Sequence, residues 1–475
     1  MTLTAESVER VWLMFLVRRR TNANGRVSRS MRRTGSEAGD KRILCNLTLV
    51  AGWIHYDLTM KKLILFLLLC AFFAQAQTVP PSYFGQHLLH LTRPTSSGVA
   101  LTPWPTIGLG ALRTWDMGVS WFNINTSSGV YYYTNLDAAI NDAQVKGVDL
   151  IYTFGNTPTW ASSNPTDLSC SEGLGACDSP SSNIYWQHFV TSIVTHVAGK
   201  IHYWEIWNEP NVGGFWRGTT TQMVTMASQA YAIIKSIDPS AVVLSPAATD
   251  DRGVLWMSDY LTAGGGAYMN VLAFHGYYLP TDTPEHITTR AAAYQNLLAA
   301  HSLSISMWDT EWSWGTSTNM SSTSDQANFL ARTYLLQWPS GVQRAYWYGY
   351  DAGSCSGCWG DLWTTSGGLN DAGIAYQQVY NWMVGATMAL GACTNSGTVY
   401  QCVLMRSGGY QGLAVWNTSG TSTFTVPTQY KQYRDLTGAT TSVGGTVSIG
   451  KAPILLENTG LTPPMPPSNL FVNLR

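Results

Sequence analysis

Eight short apolar runs, each followed by a stretch with helical spacing, recur between about residues 83 and 351. Each run ends in polar or aromatic residues: YFGQHLLHL (83–91), ALRTWDMG (111–118), DLIYTFGN (149–156), IHYWEIWNE (201–209), AVVLSPAATD (241–250), NVLAFHGYY (270–278), SISMWDTEWSW (304–314) and RAYWYGYD (344–351). Eight strands alternating with helices over about 270 residues predict an α/β fold of the (β/α)8 barrel type, known as a TIM barrel. An open doubly wound sheet is the alternative, and the lack of a glycine-rich phosphate turn after the first run disfavours it.

After about residue 385 the sequence changes to alternating apolar and small polar residues with glycines between them. The stretches GLAVWNTSGTSTFTVP and YRDLTGATTSVGGTVSIGKAPILLE are typical of antiparallel strands. They predict a small β-sandwich domain over 385–460 after a barrel domain over 77–384. The tail 461–475 is rich in proline and is predicted to be a loose segment. The short junction near 385 favours a sandwich packed on the barrel over an independent sugar-binding module.

Residues 60–76 are typical of a secretory signal peptide. Two lysines after Met60 precede about a dozen apolar residues, and Ala74-Gln75-Ala76 offers an A-x-A cleavage site. The apolar run is short for a membrane span. The mature chain is therefore expected to begin at Gln77, to be secreted or periplasmic, and to be free of the membrane. A lipoprotein signal at Cys70 is the alternative, and the preceding leucine disfavours it.

Residues 1–59 resemble no domain, and they are interpreted as the product of a start codon assigned too early. The alternative, a basic arm that binds nucleic acid, does not suit an exported chain. The formal net charge of the whole sequence is −1, but the excess of Lys and Arg lies in residues 1–76 and the remainder is acidic. An acidic body makes nucleic acid an unsuitable partner.

Six cysteines follow the signal peptide, and six cysteines allow fifteen pairings. Proximity in the sequence favours the pairs Cys170–Cys177, Cys355–Cys358 and Cys393–Cys402. Each pair closes a short loop, which suits an oxidising compartment. The segment 355–358 also resembles half of a zinc site, but no second half is evident, so neither a metal nor a cofactor is predicted.

Two of the eight runs bring a glutamate to the end of a predicted strand. Glu209 in WNEPN ends the fourth strand, and Glu311 in WDTEWSW ends the seventh. Catalytic groups of such a barrel project from the carboxyl ends of its strands, and strands four and seven lie nearly opposite each other across the mouth. Two carboxylates about 5 Å apart suit retaining glycoside hydrolysis, which needs one carboxylic acid and one ionised nucleophile.

These residues resemble glycoside hydrolase clan A, whose acid/base is the Glu of an Asn-Glu-Pro at strand four and whose nucleophile is a Glu ending strand seven. The resemblance covers about residues 83–350. It implies that Glu209 is the acid/base and Glu311 the nucleophile. Clan members also tend to carry an Arg at strand two, a His-x-Tyr at strand six and a Trp at strand eight; this sequence has Arg113, His275, Tyr277 and Trp347 there.

The resemblance and the side-chain chemistry together predict supporting roles for other residues. The clan implies that Asn208 holds the 2-hydroxyl of the sugar. Arg113 and Tyr277 are expected to donate hydrogen bonds that keep the nucleophile ionised, and His275 to bind a sugar hydroxyl. Glu205 and Asp309 are expected to be buried members of a polar network. Flat faces for sugar rings are expected from Trp347, Trp115, Trp160 and Trp312, although packing in the core is the alternative for any of them.

Within the clan, the FG opening, the WEIWNEPN stretch, the FHGYY of strand six and the trailing β-domain resemble glycoside hydrolase family 39 most. That family contains mainly β-xylosidases and related exo-enzymes, while families 5, 30 and 51 share the same constellation. The resemblance implies a secreted retaining glycosidase that acts on β-linked plant-type poly- or oligosaccharides. The cysteine-rich loops at 170–177 and 355–358 depart from the family. The alternative is a non-catalytic carbohydrate-binding protein on the same barrel, which the presence of both carboxylates disfavours.

Overall fold

The structure is a computed structural model that describes residues 77–92, 101–278, 282–314, 322–352, 360–364 and 368–458. Within these residues a parallel barrel is formed by the strands Phe84–Gln86, Ala111–Arg113, Asp149–Thr153, Tyr203–Glu205, Val242–Leu244, Val271–His275, Ser306–Trp312 and Val342–Trp347. The fifth strand pairs with the sixth and the eighth with the first, so the sheet closes on itself. Seven of the eight predicted runs contain one of these strands and the eighth overlaps Val342–Trp347, which confirms the (β/α)8 prediction.

Helices follow the barrel strands, as the sequence predicts. In the described part of the chain the α-helices are Trp121–Ile124, Thr134–Lys146, Asn183–His196, Thr220–Ile237, Asp250–Thr262, His286–Ala300, Thr323–Gln337 and Asp371–Met383. The helix Thr220–Ile237 begins with a capping box. The Thr219 hydroxyl accepts the Gln222 N–H, and the Gln222 side chain accepts the Thr219 N–H. These two hydrogen bonds satisfy backbone donors that the first helical turn leaves free.

The barrel core is divided into an inner and an outer part because successive residues of a strand point to opposite faces. A separate apolar cluster is formed by Ala111, Ile151, Leu244, Ala247, Val271, Ala273, Trp308 and Tyr346, which come mostly from the barrel strands. A larger cluster includes the residues that join the strands to the helices. Ala111 and Arg113 share one face of the second strand, so this inner cluster lies below the polar groups at the mouth.

The C-terminal region is antiparallel. Its larger sheet contains Thr387–Met388, Cys393–Ser396, Val399–Arg406, Tyr410–Asn417, Gln432–Arg434, Thr440–Ser442 and Ile454–Glu457, and Ser422–Thr425 pairs separately with Thr446–Ile449. The short strand Gln77–Thr78 also belongs to the larger sheet, where it pairs with Thr387–Met388. The first described residues, which the sequence analysis assigned to the barrel, therefore lie in the C-terminal sheet. Three further short strands are Ala248–Thr249, Trp363–Thr364 and Gly368–Leu369.

Trp416 joins the C-terminal sheet to the barrel. Its ring is fully buried, and its Nε1 donates to Glu285 Oε1 at 3.0 Å. Glu285 precedes the helix His286–Ala300 and also accepts from Arg332 Nε at 2.8 Å. Tyr400 stacks on the Trp416 ring with 5.3 Å between the ring centres. This contact ties the sandwich to the barrel and removes Trp416 from the aromatic surface that a sugar-binding module would need.

Two of the three predicted cysteine pairs, Cys170–Cys177 and Cys393–Cys402, are disulfides in the structure. The third pair, Cys355–Cys358, lies outside the described residues, as do the segments 1–59, 60–76 and 461–475. Among the residues that are described, no helix is both long enough and apolar enough to cross a membrane.

Replacement of Trp416 by Phe should lower the free energy of unfolding by about 1–2 kcal/mol beyond the loss caused by the smaller ring, because the substitution removes a hydrogen bond to a charged group. The measurement is urea unfolding followed by circular dichroism. Trp382→Phe is the matched control, since Trp382 is also buried but its Nε1 has no hydrogen-bond partner among the described residues. Equal losses in the two variants would contradict the anchoring role of Trp416.

Candidate active site

The backbone is strained at the carboxyl ends of consecutive barrel strands. Four non-glycine residues there have positive φ: Asp116 at 69°, Asn156 at 63°, Glu209 at 43° and Asp250 at 54°. A left-handed conformation costs about 1–2 kcal/mol for a residue that carries a side chain. Such residues concentrate at functional sites, where the surrounding structure holds them in place. The strain marks this end of the barrel as the candidate active site.

Arg113 at the end of the second strand holds the floor of the site together. Its Nη1 donates to Glu311 Oε2 at 2.6 Å, its Nη2 to Asn208 Oδ1 at 2.9 Å, and its Nε to Glu205 Oε2 at 2.7 Å. The side chain is fully buried. Burial opposes the charge, but Glu205 and Glu311 outweigh burial and raise the pKa of Arg113. A permanent cation therefore bridges the second, fourth and seventh strands.

Two further carboxylic acids belong to the buried network, as the sequence analysis expects. Glu205 accepts from Thr153 Oγ1 at 2.8 Å as well as from Arg113. Asp309 accepts the Gly276 N–H at 2.9 Å and the Gln337 amide at 2.6 Å, and burial raises its pKa well above the usual range. A Cβ atom at position 276 would lie 2.1 Å from Asp309 Oδ2. The glycine between His275 and Tyr277 is therefore required by this close approach.

Glu209 and Glu311 face each other at the centre of the site. They are 9% and 7% exposed. One carboxylate oxygen of each and a ring nitrogen of His275 lie within 4.8 Å of one another. The Tyr277 hydroxyl donates to Glu311 Oε1 at 2.9 Å. The structure thus brings together the two glutamates that the sequence places at the ends of strands four and seven.

Burial raises the pKa of each of these two carboxyls to about 7. The charge of Glu209 also raises the pKa of Glu311, so the two groups titrate as a pair. Arg113 and Tyr277 both donate to Glu311, and hydrogen bonds to a carboxylate favour its ionised form. A hydrogen bond with the Thr249 side chain acts in the same direction on Glu209, and with both pKa values near 7 the pair exchanges protons around neutral pH.

His275 lies closer to Glu209 than to Glu311. Its Nδ1 is 2.9 Å from Glu209 Oε1 and 3.9 Å from Glu311 Oε2. Burial lowers the pKa of His275 to about 4, so the ring is neutral at pH 7. The sequence analysis expects His275 to bind a sugar hydroxyl. In the structure the ring is fully buried and its Nδ1 faces Glu209.

Two of the four tryptophans predicted to stack against sugar rings have no exposed ring face. Trp347 and Trp312 are fully buried and meet edge to face with 4.8 Å between ring centres, unlike the expectation from the sequence. Trp347 Nε1 donates to the Gly360 carbonyl at 2.7 Å. Trp115 lies beside Arg113, with its ring centre 5.9 Å from the guanidinium carbon. Trp160 is partly exposed and donates to the Asn125 carbonyl at 2.9 Å.

Sequence reasoning missed the pair formed by Asp116 and Tyr348. The Tyr348 hydroxyl donates to Asp116 Oδ2 at 2.6 Å, and the Tyr348 backbone N–H donates to the Trp312 carbonyl. The charge of Asp116 contributes to the raised pKa of both Glu209 and Glu311. Asp116 lies near the end of the run ALRTWDMG, three residues after the strand, so its place beyond a strand end was the available signal.

By position, Glu209, His275 and Glu311 are the side chains of the site that could hold a metal ion. The Arg113 guanidinium already binds Glu311, and its fixed positive charge opposes a second cation there. A second grouping of possible ligands contains Cys170 and Cys177, whose sulfur atoms are joined to each other. The donor set is better suited to acid–base chemistry than to metal binding.

The comparison with known families identifies the chain. Residues 129–376 match the family model of the glycosyl hydrolase catalytic core. The chain belongs to this glycosyl hydrolase family. The matched region contains Glu209, His275 and Glu311, so this glycosidase carries its paired carboxylates inside the family's core. Among curated proteins, no sequence matches it.

Solved structures share the fold of this glycosidase at low sequence identity. A family 39 glycoside hydrolase from Bacteroides cellulosilyticus WH2 has a TM-score of 0.63 and 17% identity over 80% of this chain and 81% of that chain. A family 39 β-xylosidase from Caulobacter crescentus has a TM-score of 0.57 and 16% identity over 81% of this chain and 98% of that chain. A family 30 endoxylanase from Clostridium papyrosolvens C71 has a TM-score of 0.52 and 14% identity over 82% of this chain and 98% of that chain.

Replacement of Glu209 by Gln should raise the free energy of unfolding by about 3 kcal/mol at pH 8 and by less than about 1 kcal/mol at pH 5. The folded pKa of about 7 lies above the ordinary value of 4.5. The stability that the protonated carboxyl contributes is therefore complete below pH 4.5 and is lost as the pH rises through 7. At pH 5 the native acid is neutral and resembles the amide, whereas at pH 8 it must ionise while buried.

The measurement for this prediction is urea unfolding at both pH values. Asp259→Asn is the control, because it removes a carboxylate from an exposed position on the helix Asp250–Thr262. An equal gain at pH 5 and pH 8 would contradict a raised pKa for Glu209.

Proposed function

We propose that this glycosidase is a secreted, retaining enzyme that cleaves β-linked plant-type poly- or oligosaccharides, with Glu209 as acid/base and Glu311 as nucleophile. The observation that carries the proposal is the buried carboxylate pair, whose oxygens lie within 4.8 Å of each other and whose partners differ. The Arg113 guanidinium and the Tyr277 hydroxyl bind Glu311 directly, while Glu209 has a neutral imidazole and the Thr249 side chain as partners. That difference suits one ionised and one protonated carboxyl.

The first step of the proposed reaction forms a covalent intermediate. The Glu311 carboxylate attacks the anomeric carbon, and the bond from that carbon to the leaving oxygen breaks. Glu209 gives its proton to the leaving oxygen, so the departing sugar leaves as an alcohol. The product of the step is a glycosyl ester of Glu311 and an ionised Glu209.

The second step releases the sugar. The Glu209 carboxylate takes a proton from water, the water oxygen bonds to the anomeric carbon, and the ester bond to Glu311 breaks. Formation of the ester removes the negative charge of Glu311, which lowers the pKa of Glu209 by removing a like charge next to it. Glu209 therefore serves as acid in the first step and base in the second. Two displacements at one carbon leave its configuration unchanged.

The supporting residues act on this cycle through Glu311 and the sugar. Arg113 and Tyr277 stabilise the carboxylate before attack and after release. Asn208 is held by Arg113 and is proposed to bind the 2-hydroxyl beside the reacting carbon.

The names of the solved structures, a β-xylosidase and an endoxylanase among them, support a xylan-type substrate. Export is supported by the A-x-A signal at 74–76 and by the two disulfides.

Replacement of Glu311 by Ala should abolish hydrolysis of aryl β-glycosides, and added azide should restore a glycosyl azide of inverted configuration, because the small anion enters the space of the missing nucleophile. Glu209→Ala should slow substrates with poor leaving groups by about 10²–10⁴-fold and activated aryl glycosides much less. Azide should then give a product of retained configuration. The measurements are initial rates and the anomeric configuration of products by NMR.

Asp259→Ala serves as the control for both variants, because it removes an exposed carboxylate from the last turns of the helix Asp250–Thr262. Near-native rates in both glutamate variants would show that the pair is assigned wrongly. If the native protein hydrolyses no glycoside but still binds sugar, the barrel is a non-catalytic carbohydrate-binding protein.

A further inference from the structure

Tyr277 lies beyond the regular end of the sixth barrel strand. The strand Val271–His275 makes its last ladder pairs at His275, opposite Thr249 and Glu311. Two residues later, the Tyr277 hydroxyl donates to Glu311 Oε1 at 2.9 Å. A hydrogen bond of this length is lost when the donor moves away by about 1 Å. Contacts outside the strand ladder must therefore hold Tyr277 in place.

Arg290 supplies one of these contacts. Its Nη1 donates to the Tyr277 carbonyl at 2.5 Å. The residue lies on the helix His286–Ala300 and is only 1% exposed. Its guanidinium carbon also lies 5.7 Å from the centre of the Tyr278 ring, a distance at which a cation is attracted to the ring. A buried guanidinium therefore contacts both residues that end the run NVLAFHGYY.

Asp251 fixes the direction of this guanidinium from the helix Asp250–Thr262. Its Oδ1 accepts from Arg290 Nε at 3.1 Å and from Arg290 Nη2 at 3.0 Å. Burial opposes the charge of Asp251, but its bonds with His286 and Arg290 outweigh burial and lower the pKa of this carboxyl. Because a guanidinium is planar, two bonds on one edge determine where Nη1 points on the other.

The chain before Tyr277 is fixed independently of Arg290. The Gly276 N–H donates to Asp309 Oδ1 at 2.9 Å and to the Glu311 carbonyl at 3.0 Å. Loss of Arg290 would therefore release the carbonyl side of Tyr277 while the Gly276 side stays bonded. The strand should keep its fold, and the ring of Tyr277 should lose its defined position.

We propose that Arg290 is a positioning residue that sets the Tyr277 hydroxyl against Glu311. Asp251 orients Arg290 for this role. The proposal rests on the proposed glycosidase function, in which Glu311 is the nucleophile, and adds two residues that act on it through Tyr277. A hydrogen bond to a carboxylate favours its ionised form, so Glu311 should ionise at a higher pH when Arg290 is lost.

The test measures the titration of Glu311 directly by NMR. The sequence contains nine glutamates, so labelling their carboxyl carbons with 13C gives at most nine signals. Glu311→Gln removes one signal and so assigns it. Arg290→Gln should raise the midpoint of the Glu311 signal by about one pH unit, because one unit corresponds to the loss of a hydrogen bond to a charged group.

Arg332→Gln is the matched control for the loss of a buried guanidinium. Arg332 is also 1% exposed, and its Nε donates to Glu285 Oε1 at 2.8 Å, but it lies on the helix Thr323–Gln337. This variant should leave the midpoint of Glu311 unchanged. Both arginine variants keep the charged and titratable groups that face Glu311 in the described structure, namely Arg113, Asp116, Glu209, His275, Tyr277 and Tyr348.

Tyr277→Phe separates positioning from a direct effect of the Arg290 charge. This variant removes the hydroxyl and should raise the Glu311 midpoint about as much as Arg290→Gln does. The double variant should show no larger shift than Tyr277→Phe alone, because a residue that acts through the hydroxyl then has nothing to act on. In hydrolysis of aryl glycosides, the acid limb of kcat/KM should move in the same way.

Asp251→Ala carries the test if Arg290→Gln does not fold. The Asp251 side chain is 46% exposed, so its loss removes a partner of Arg290 without opening a cavity. The midpoint of Glu311 should rise by about half a pH unit. In the Tyr277→Phe background, Asp251→Ala should add no further shift.

Three outcomes would overturn the proposal: a native Glu311 midpoint in Arg290→Gln, equal shifts in Arg290→Gln and Arg332→Gln, or additive shifts in the double variant. The titration needs no turnover, so the two ideas can fail independently. A protein that hydrolyses glycosides while its Glu311 midpoint ignores Arg290 refutes the positioning role alone. A protein whose midpoint shifts as expected but that hydrolyses nothing refutes the catalytic function alone.

Discussion

The burial of Arg113 is the constraint on which the rest of the site depends. A guanidinium without solvent contact is tolerated only when carboxylates surround it, and here Glu205 and Glu311 do so from two other strands. The barrel fulfils this condition because parallel strands bring their carboxyl ends to one rim. The same cation that needs neutralisation favours the ionised form of Glu311, so the stability of the floor and the charge of the carboxyl pair share one interaction.

Much of the fold and the centre of the site follow from the sequence. The eight apolar runs predict the eight barrel strands because a strand buried on both faces shows as a continuous apolar run. Glu209 and Glu311 are predictable as facing groups because strand ends converge on the rim. The two-residue strand Gln77–Thr78 is too short to carry any periodicity, so its place in the C-terminal sheet was beyond sequence reasoning.

The hydrogen-bond and packing partners of side chains were less predictable than the positions of the residues along the barrel strands. The sequence places His275 and Trp347 at the correct strand ends, but whether a ring faces a carboxylate or another indole depends on neighbouring strands and on loops from distant parts of the chain. Asp116 and Tyr348 lie on opposite sides of the barrel sequence and meet only through its closure. Glu172 lies in a loop whose shape is set by the Cys170–Cys177 disulfide. Its proximity to Asn156 and Asp116 therefore emerges only in the folded protein.

The pairing of Gln77–Thr78 with Thr387–Met388 has a consequence for how the chain acquires its shape. The hydroxyls of Thr78 and Thr387 meet across 309 positions of sequence, and the whole barrel lies between them. A chain that emerges from a ribosome or translocation pore amino end first must hold its first strand unpaired until nearly all of the rest has emerged. This contact joins distant parts of the sequence and therefore forms late. The strand Gln77–Thr78 can pair only after the whole barrel sequence has been made.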